Sequence, residues 1–179
     1  MANDYTKPQI WDTIWSRFYT NYEKHHQVFW KKIRERVSGR VADLGCGSAS
    51  CWKIPHPESI IDLCGFDFSS SGIEEAKKNC PWGYFLVCDI VDTGASSEIY
   101  DYTVLSGIIN YYHDLKPILD EAFRITKKGG EVIITINVID DFPDRHWNSD
   151  RIIKEFSPYG HPTLWFEDKI GWFVAISKK

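Results

Sequence analysis

Residues 41–50 read Val-Ala-Asp-Leu-Gly-Cys-Gly-Ser-Ala-Ser, an apolar strand that ends in an acid and continues into a turn with two glycines. Because glycine has no Cβ atom, Gly45 and Gly47 allow the backbone to approach a ligand at the carboxyl end of the strand. Asp43 adds a negative charge there, which repels a pyrophosphate and suits a cationic ligand. The stretch is typical of an open parallel sheet that binds a nucleoside-bearing cofactor, although a Gly-x-Gly turn is equally compatible with a tight structural turn.

Length and composition indicate one globular domain. The 179 residues are 43% hydrophobic and 26% charged, with a net charge of −4 at pH 7. This acidic balance argues against binding nucleic acid through its phosphates. The sequence contains no run of about 18 apolar residues, so we expect a cytoplasmic protein without a membrane span. The five cysteines form no C-x-x-C pair, which favours reduced thiols over a metal site or a disulfide framework.

The N-terminal region carries an aromatic stripe. Apolar residues recur at helical spacing over residues 10–22 and 29–37, which predicts amphipathic helices. Such a stripe either packs on the sheet or closes over the functional site as a lid. In the second case, Trp15 and Tyr19 are candidates for contacting a substrate.

Three acids each follow a strand pattern. They are Asp43, Asp67 and Asp89, at intervals of 24 and 22 residues. Parallel strands of a βαβ sheet deliver their carboxyl ends to one edge, so we expect the three carboxylates to converge there. Asp67 can then accept from both hydroxyls of a ribose, and Asp89 from an adenine amino group. The simpler alternative, that acids cap the next helix or turn, explains one of them more readily than all three.

The other segments alternate between helix and strand patterns. Pro55 and Pro57 stop the helix expected after the glycine turn within about two turns. Ser71–Glu74 is a capping box that starts the next helix, and the helix predicted over 116–125 is closed by the glycine pair 129–130. Further strand patterns lie in the second half of 60–68, at 84–88, 102–106 and 131–137, and at 163–167 and 171–177, where two strands predict an antiparallel hairpin.

Together these motifs resemble the class I S-adenosylmethionine-dependent methyltransferases. Residues 43–47 resemble the first motif of that family, 65–67 the acidic end of its second strand, and 88–90 its adenine contact. The resemblance implies an α/β fold with a Rossmann-like, doubly wound, mostly parallel seven-stranded sheet, a C-terminal antiparallel hairpin and helices on both faces. It also implies S-adenosyl-L-methionine as cofactor, with Asp43, Gly45, Cys46, Gly47, Asp67, Phe68, Asp89, Ile90 and Ser106 as the binding residues.

The same resemblance implies in-line transfer of a methyl group to an acceptor. The insertions that carry substrate recognition in many relatives are short or absent here, which favours a small-molecule acceptor. His113, beside the cofactor edge, is the candidate general base and His146 the next, although a solvated or capping role suits either histidine. Tyr111 and His146 join Trp15 and Tyr19 as candidate substrate contacts.

The resemblance also predicts the organisation of the chain. We expect one domain over 1–179, with 1–39 as aromatic helices forming part of a lid and 40–179 as the Rossmann-like core, in a monomer or homodimer. We expect no metal and no nucleic-acid partner.

Three other interpretations stay open. A nicotinamide-dependent dehydrogenase shares the layout of strand, glycines and acid, but Ser50 fills the third glycine position of its fingerprint. A base-flipping nucleic-acid methyltransferase lacks its Pro-Pro motif after the fourth strand pattern, where residues 106–111 read Ser-Gly-Ile-Ile-Asn-Tyr. A catalytically silent cofactor-binding or interaction protein of the same fold remains an alternative, because fold does not fix function.

Overall fold

The computed structural model describes residues 19–137, 147–167 and 170–179, with side chains described from residue 26 onward. Helices and strands alternate along this part of the chain. In chain order they are α1 (Tyr19–Arg36), β1 (Gly39–Leu44), β2 (Ile60–Asp67), α2 (Ser70–Asn79), β3 (Tyr84–Val87), β4 (Tyr100–Ser106), α3 (Lys116–Ile125), β5 (Thr126–Asn137), α4 (Ser149–Phe156), β6 (Pro162–Glu167) and β7 (Gly171–Ser177), with short 3-10 turns at Ser50–Trp52 and Ile109–Tyr111.

The seven strands form one sheet in the order β3-β2-β1-β4-β5-β7-β6. Strands β1 to β5 pair in parallel, whereas β7 is antiparallel to both β5 and β6. The chain builds outward from β1 to β3 and then returns to add β4 on the other side of β1. This reversal opens a crevice at the carboxyl ends of β1 and β4, the position at which open α/β sheets bind ligands.

Helices pack on both faces of the sheet. Phe29 and Ile33 of α1 and Ile73 of α2 share one buried cluster with Val41 and Ile133 of the strands. A second cluster, on the opposite face, contains Ile118, Leu119, Ala122 and Phe123 of α3 and Ile152 and Phe156 of α4. The alternation of strand side chains between the two clusters follows from the two-residue period of the pleat. The predicted fold class is confirmed.

The structure describes the second half of the aromatic stripe. Phe29, Trp30, Ile33 and Val37 are 0–6% exposed, so the second half of the stripe packs on the sheet. The first half of the predicted helical region, residues 10–18, lies outside the described residues. No helix in the described part of the chain has the length and apolar character needed to cross a membrane.

Strands β2, β3 and β4 differ from their predicted bounds by a few residues, and the starts of α2 and of β5 differ for identifiable reasons. Ser69, rather than Ser71, caps α2, because its Oγ accepts from the backbone N–H of Gly72 at 3.1 Å. Strand β5 begins at Thr126, directly after α3, and runs through the glycine pair that was expected to close the helix. The Thr126 hydroxyl bonds the carbonyl of Ala122 at 2.7 Å, which lets the chain leave the helix without a glycine.

The segment after the glycine turn is also shorter than predicted. It forms only the 3-10 turn Ser50–Trp52, and Pro55 and Pro57 lie just beyond it. Ala49, which precedes the turn, adopts a left-handed conformation with φ of 55°. A left-handed residue followed closely by two prolines leaves no room for an α-helix of useful length.

Candidate cofactor-binding and active site

The three strand-tip acids lie at one edge of the sheet. In the parallel pairing, Asp43 of β1 is opposite Gly65 of β2, and Asp67 of β2 is opposite Val87 of β3. Asp67 and Asp89 both act on the pKa of Tyr112, and Asp67 raises the pKa of Asp43. The structure therefore brings the three carboxylates together, as the spacing predicts.

The glycine turn takes a left-handed path. Gly45 and Gly47 have φ values of 75° and 51°, which suit glycine. The backbone N–H groups of Gly45 and Cys46 donate to the carbonyl of Phe66 at 2.8 and 3.1 Å, which fixes the turn against β2. The turn therefore lies at the carboxyl ends of β1 and β2, and Gly45 is close to Ile108 after β4.

Asp67 holds this turn in place. Its Oδ2 accepts from the backbone N–H of Gly47 at 2.8 Å, and its Oδ1 accepts from the backbone N–H of Ser69 at 2.9 Å. The side chain is 5% exposed. The predicted contact of this carboxylate with ribose hydroxyls stays a prediction. The sequence did not reveal this second role of Asp67.

Asp43 is a buried acid with one oxygen unsatisfied. The residue is 3% exposed, and its Oδ2 accepts from the indole N–H of Trp52 at 2.6 Å. Its Oδ1 is buried and has no hydrogen-bond partner among the described residues. Burial raises the pKa of Asp43 to about 7, the Trp52 N–H opposes this, and the charge of Asp67 adds to it. A nearby positive charge would stabilise the ionised form of this buried acid, so Asp43 suits the positively charged end of S-adenosylmethionine.

The residues predicted to contact adenine lie at the tip of β3. Asp89 is exposed and its Oδ1 accepts from the backbone N–H of Val91 at 3.1 Å, whereas Ile90 is buried. Tyr112 is close to both acids. Burial, and then the negative charges of Asp89 and Asp67, raise the pKa of its hydroxyl. An exposed carboxylate beside a partly buried ring and an apolar side chain fits the adenine-binding role that the resemblance implies.

The remaining predicted cofactor residues flank the same crevice. Phe68 follows Asp67 and is partly buried, and Cys46 is partly buried within the glycine turn. Ser106 ends β4, where its hydroxyl bonds that of Thr135 at 3.2 Å. Burial and the nearby negative charges raise the pKa of the Cys46 thiol, so this side chain is neutral at physiological pH. All five cysteines are free, as predicted.

Three buried polar side chains at this edge were missed by the sequence reasoning. Asn110, in the turn after β4, donates through Nδ2 to the backbone carbonyl of Asn137 at 2.7 Å. Asn137, the last residue of β5, has its Nδ2 3.4 Å from Nε2 of His26 on α1. All three are 3–7% exposed. We call them the polar cluster. An amide at the tip of β5 continues the pattern of polar strand tips, and that signal alone was readable from the sequence.

The predicted catalytic and substrate residues are placed less completely. His113 is exposed on the loop before α3, and Tyr111 is partly buried in the 3-10 turn after β4. Trp15 and His146 lie outside the described residues. Tyr19 is the first residue of α1, and its side chain is not described. Their predicted roles stay predictions.

Comparisons with known proteins agree with this arrangement. The family model described as a methyltransferase domain matches residues 36–171, so the chain belongs to the methyltransferase domain family. Among solved structures, the N-methyltransferase NodS from Bradyrhizobium japonicum, in complex with S-adenosyl-L-homocysteine, superposes with a TM-score of 0.73 at 13% identity over 99% of both chains. The expected family, the fold class and S-adenosylmethionine as the cofactor of the family are confirmed.

The curated relatives match this chain over only part of their own length. The demethylmenaquinone methyltransferase of Streptomyces avermitilis is 27% identical over 104 residues, which are 58% of this chain and 45% of that protein. The malonyl-[acyl-carrier protein] O-methyltransferase of Salmonella typhimurium is 23% identical over 159 residues, covering 75% of this chain and 62% of that protein. The chain therefore spans less than two thirds of the length of either relative.

Proposed function

We propose that this protein transfers the methyl group of S-adenosylmethionine to a small-molecule acceptor by in-line displacement. One observation carries the proposal: the buried, partly unsatisfied Asp43 carboxyl lies beside a glycine turn that Asp67 fixes in place. This combination offers a negative site for a cationic ligand together with a closely approachable backbone. Membership of the methyltransferase domain family supports the proposal.

In this proposal, each strand tip binds a different part of the cofactor. Asp67 and Phe68 bind the ribose, Asp89 and Ile90 bind the adenine, and Asp43 faces the cationic methionine end. Gly45, Cys46, Gly47 and Ser106 line the crevice between these contacts. Carboxylate acceptors beside buried and partly buried apolar side chains support binding of an adenosine that carries a positive charge.

Methyl transfer depends more on the positioning of the two reactants than on proton transfer. When bound, S-adenosylmethionine supplies a methyl group already activated by its positively charged sulfur. Holding an acceptor in line with that methyl group contributes up to about 7–11 kcal/mol in well-oriented systems. The residues of this chain therefore act mainly by orienting the two reactants and excluding water between them.

The acceptor binds, in this proposal, beside the polar cluster. His26, Asn110 and Asn137 converge from α1, the turn after β4 and the tip of β5, next to the crevice. Buried amide and imidazole groups bind an acceptor by hydrogen bonds, and a neutral histidine can accept its proton. Tyr111 and His113, which belong to the same loop, are the neighbouring candidates. The name of one curated relative, a demethylmenaquinone methyltransferase, supports a small-molecule acceptor, whereas that of the other, a malonyl-[acyl-carrier protein] O-methyltransferase, describes a small acyl group carried on a protein.

Titration calorimetry with S-adenosylhomocysteine tests the first half of the proposal. We expect one binding site per chain and a lower affinity in Asp89→Ala. Because the Asp89 side chain is exposed, its removal should leave the fold intact, and a lower affinity then reflects the lost contact. Methylation is then measured by mass spectrometry with a panel of small phenols, quinols, amines and carboxylic acids. Saturable binding without turnover of any acceptor class would instead support the alternative, a catalytically silent cofactor-binding protein.

A further inference from the structure

Trp52 occupies an unusual position beneath the glycine turn. Its indole is fully buried in the cluster that α1 and α2 form on the sheet. The backbone around it is fixed, because the backbone N–H of Trp52 donates to the carbonyl of Ala49 at 2.9 Å, and the Arg34 guanidinium donates to the carbonyl of Cys51 at 2.7 Å. The indole N–H therefore has little freedom to leave the Asp43 carboxyl, to which it donates at 2.6 Å.

Within the described part of the chain, the groups that act on the pKa of Asp43 include no cation. Asp67 faces it from β2, Cys46 and Cys51 from the glycine turn and the 3-10 turn, and Cys80 from the end of α2. Arg34 is directed to the Cys51 carbonyl, and no ion pair within the described part of the chain includes Asp43. The Trp52 N–H is thus the polar donor that stabilises the ionised carboxylate, while Oδ1 lacks a partner among the described residues.

We propose that Trp52 is a positioning residue that holds Asp43 as the counter-charge for the methionine end of S-adenosylmethionine, and that cofactor binding displaces a proton from the Asp43 carboxyl to solvent. This inference rests on the proposed function. It goes further by assigning a role to Trp52 and by coupling cofactor binding to a protonation step.

The coupling follows from the electrostatics of the buried acid. Burial raises the pKa of Asp43 to about 7, so the carboxyl is largely protonated one unit below neutrality and largely ionised one unit above it. A ligand whose ammonium group pairs with Asp43 binds the ionised form, so its apparent affinity is its intrinsic affinity multiplied by the fraction of protein in that form. Without the Trp52 N–H, which lowers the pKa of Asp43, the ionised form requires a higher pH.

The test is calorimetric titration of the full chain with S-adenosylhomocysteine and S-adenosylmethionine between about pH 6 and about pH 8, in buffers of different ionisation enthalpy. We expect affinity to rise about tenfold across this range, with release of protons measured from the buffer dependence. Trp52→Phe keeps a smaller aromatic ring in the buried site and removes the donor. We expect it to move the midpoint of the pH profile upward by about one unit.

Two controls separate the proposal from other effects. Methylthioadenosine keeps the nucleoside and lacks the methionine amino and carboxyl groups, so Trp52→Phe should leave its affinity unchanged. Asp43→Asn should remove the pH dependence apart from that of the ligand's own amino group, which is titrated separately. A fluorescence or circular dichroism spectrum of each variant establishes that it is folded.

The outcomes distinguish a failure of the proposed function from a failure of the role assigned to Trp52. If neither adenosylated ligand binds the wild-type chain, the proposed function itself is wrong. If both bind with a pH profile that Trp52→Phe and Asp43→Asn leave unchanged, the function stands and the role of Trp52 and Asp43 is overturned. If Trp52→Phe weakens the binding of methylthioadenosine as much as that of the other ligands, the positioning role of Trp52 is also overturned, because the variant then acts by changing the fold of the turn.

Discussion

The Asp67 carboxylate accepts a hydrogen bond from the backbone N–H of Gly47 at 2.8 Å, which ties the tip of β2 to the glycine turn after β1. The two residues are 20 positions apart in the sequence and become neighbours only because β1 and β2 pair in parallel. The acid proposed to bind the ribose is therefore also part of the structure that shapes the crevice. Substitutions of Asp67 should consequently affect stability and ligand binding together.

Asp67→Asn tests this dual role. The amide keeps one acceptor but directs an NH₂ group toward a backbone N–H, which leaves a buried donor unsatisfied. We expect a loss of about 1–3 kcal/mol in the free energy of unfolding, measured by urea denaturation, and weaker binding of S-adenosylhomocysteine.

Asp62→Asn is the matched control on the same strand. Asp62 forms an ion pair with Arg40 at 3.2 Å and its side chain is 43% exposed. A surface pair of this kind contributes about 0–1 kcal/mol. Equal losses for both variants would contradict the structural role of Asp67.

Gly45→Ala tests the shape of the turn. Gly45 has φ of 75°, and an added Cβ would lie 3.0 Å from Cδ1 of Ile108. Gly94→Ala is the control, because Gly94 has φ of 71° with no atom within 4 Å of the added Cβ. Left-handed strain of about 1–2 kcal/mol applies to both. We expect Gly45→Ala to cost about 1 kcal/mol more in thermal or urea unfolding, and to reduce ligand affinity, whereas Gly94→Ala should not change affinity.

The pH dependence of stability tests the environment of Asp43. The folded-state pKa of about 7 lies above the unfolded value of 3.8, so the folded state binds the extra proton between these two values. Stability is therefore greatest at the acidic end of this window and falls as the pH rises toward neutrality, by up to about 4 kcal/mol for this group.

Asp43→Asn isolates that contribution, since the amide does not titrate. Subtracting the unfolding free energies of the variant from those of the wild type at each pH should leave a falling slope that levels off near the folded-state pKa. A difference that is flat with pH, or that rises, would show that Asp43 is ionised in the folded protein throughout.

The choice between two histidines tests the acceptor side. His26 is buried in the polar cluster, whereas His113 is exposed. We expect His26→Gln to lower kcat/KM for the acceptor by about 10²–10⁴ if His26 accepts the proton, with an unchanged affinity for S-adenosylhomocysteine. His113→Ala should then have little effect. The reverse pattern would return the role of general base to His113.

Local patterns predicted most of the architecture. Acids at strand tips, the glycine turn and the helical spacing of residues 29–37 depend on neighbours in the sequence, and each was placed correctly. The boundary errors arose where two local signals competed. Ser69 and Ser71 are both plausible caps, and only the backbone direction into α2 selects Ser69.

The contacts that the sequence did not predict are long-range. His26 and Asn137 are 111 residues apart and meet only after α1 packs on the sheet beside the tip of β5. Trp52 and Asp43 are only nine residues apart, but their contact depends on the 3-10 turn that replaces the expected helix. Side chains that meet through tertiary packing leave no periodic signal in the sequence.

A crystal structure with S-adenosylhomocysteine tests the central claim most directly. We predict the nucleoside between Asp67 and Asp89, with the amino acid end over Gly45 and Gly47 toward Asp43, and open space beyond the sulfur beside His26 and Asn137. Ligand bound at another edge of the sheet, or a crevice without ligand at saturating concentration, would contradict the claim that these strand tips form the cofactor site.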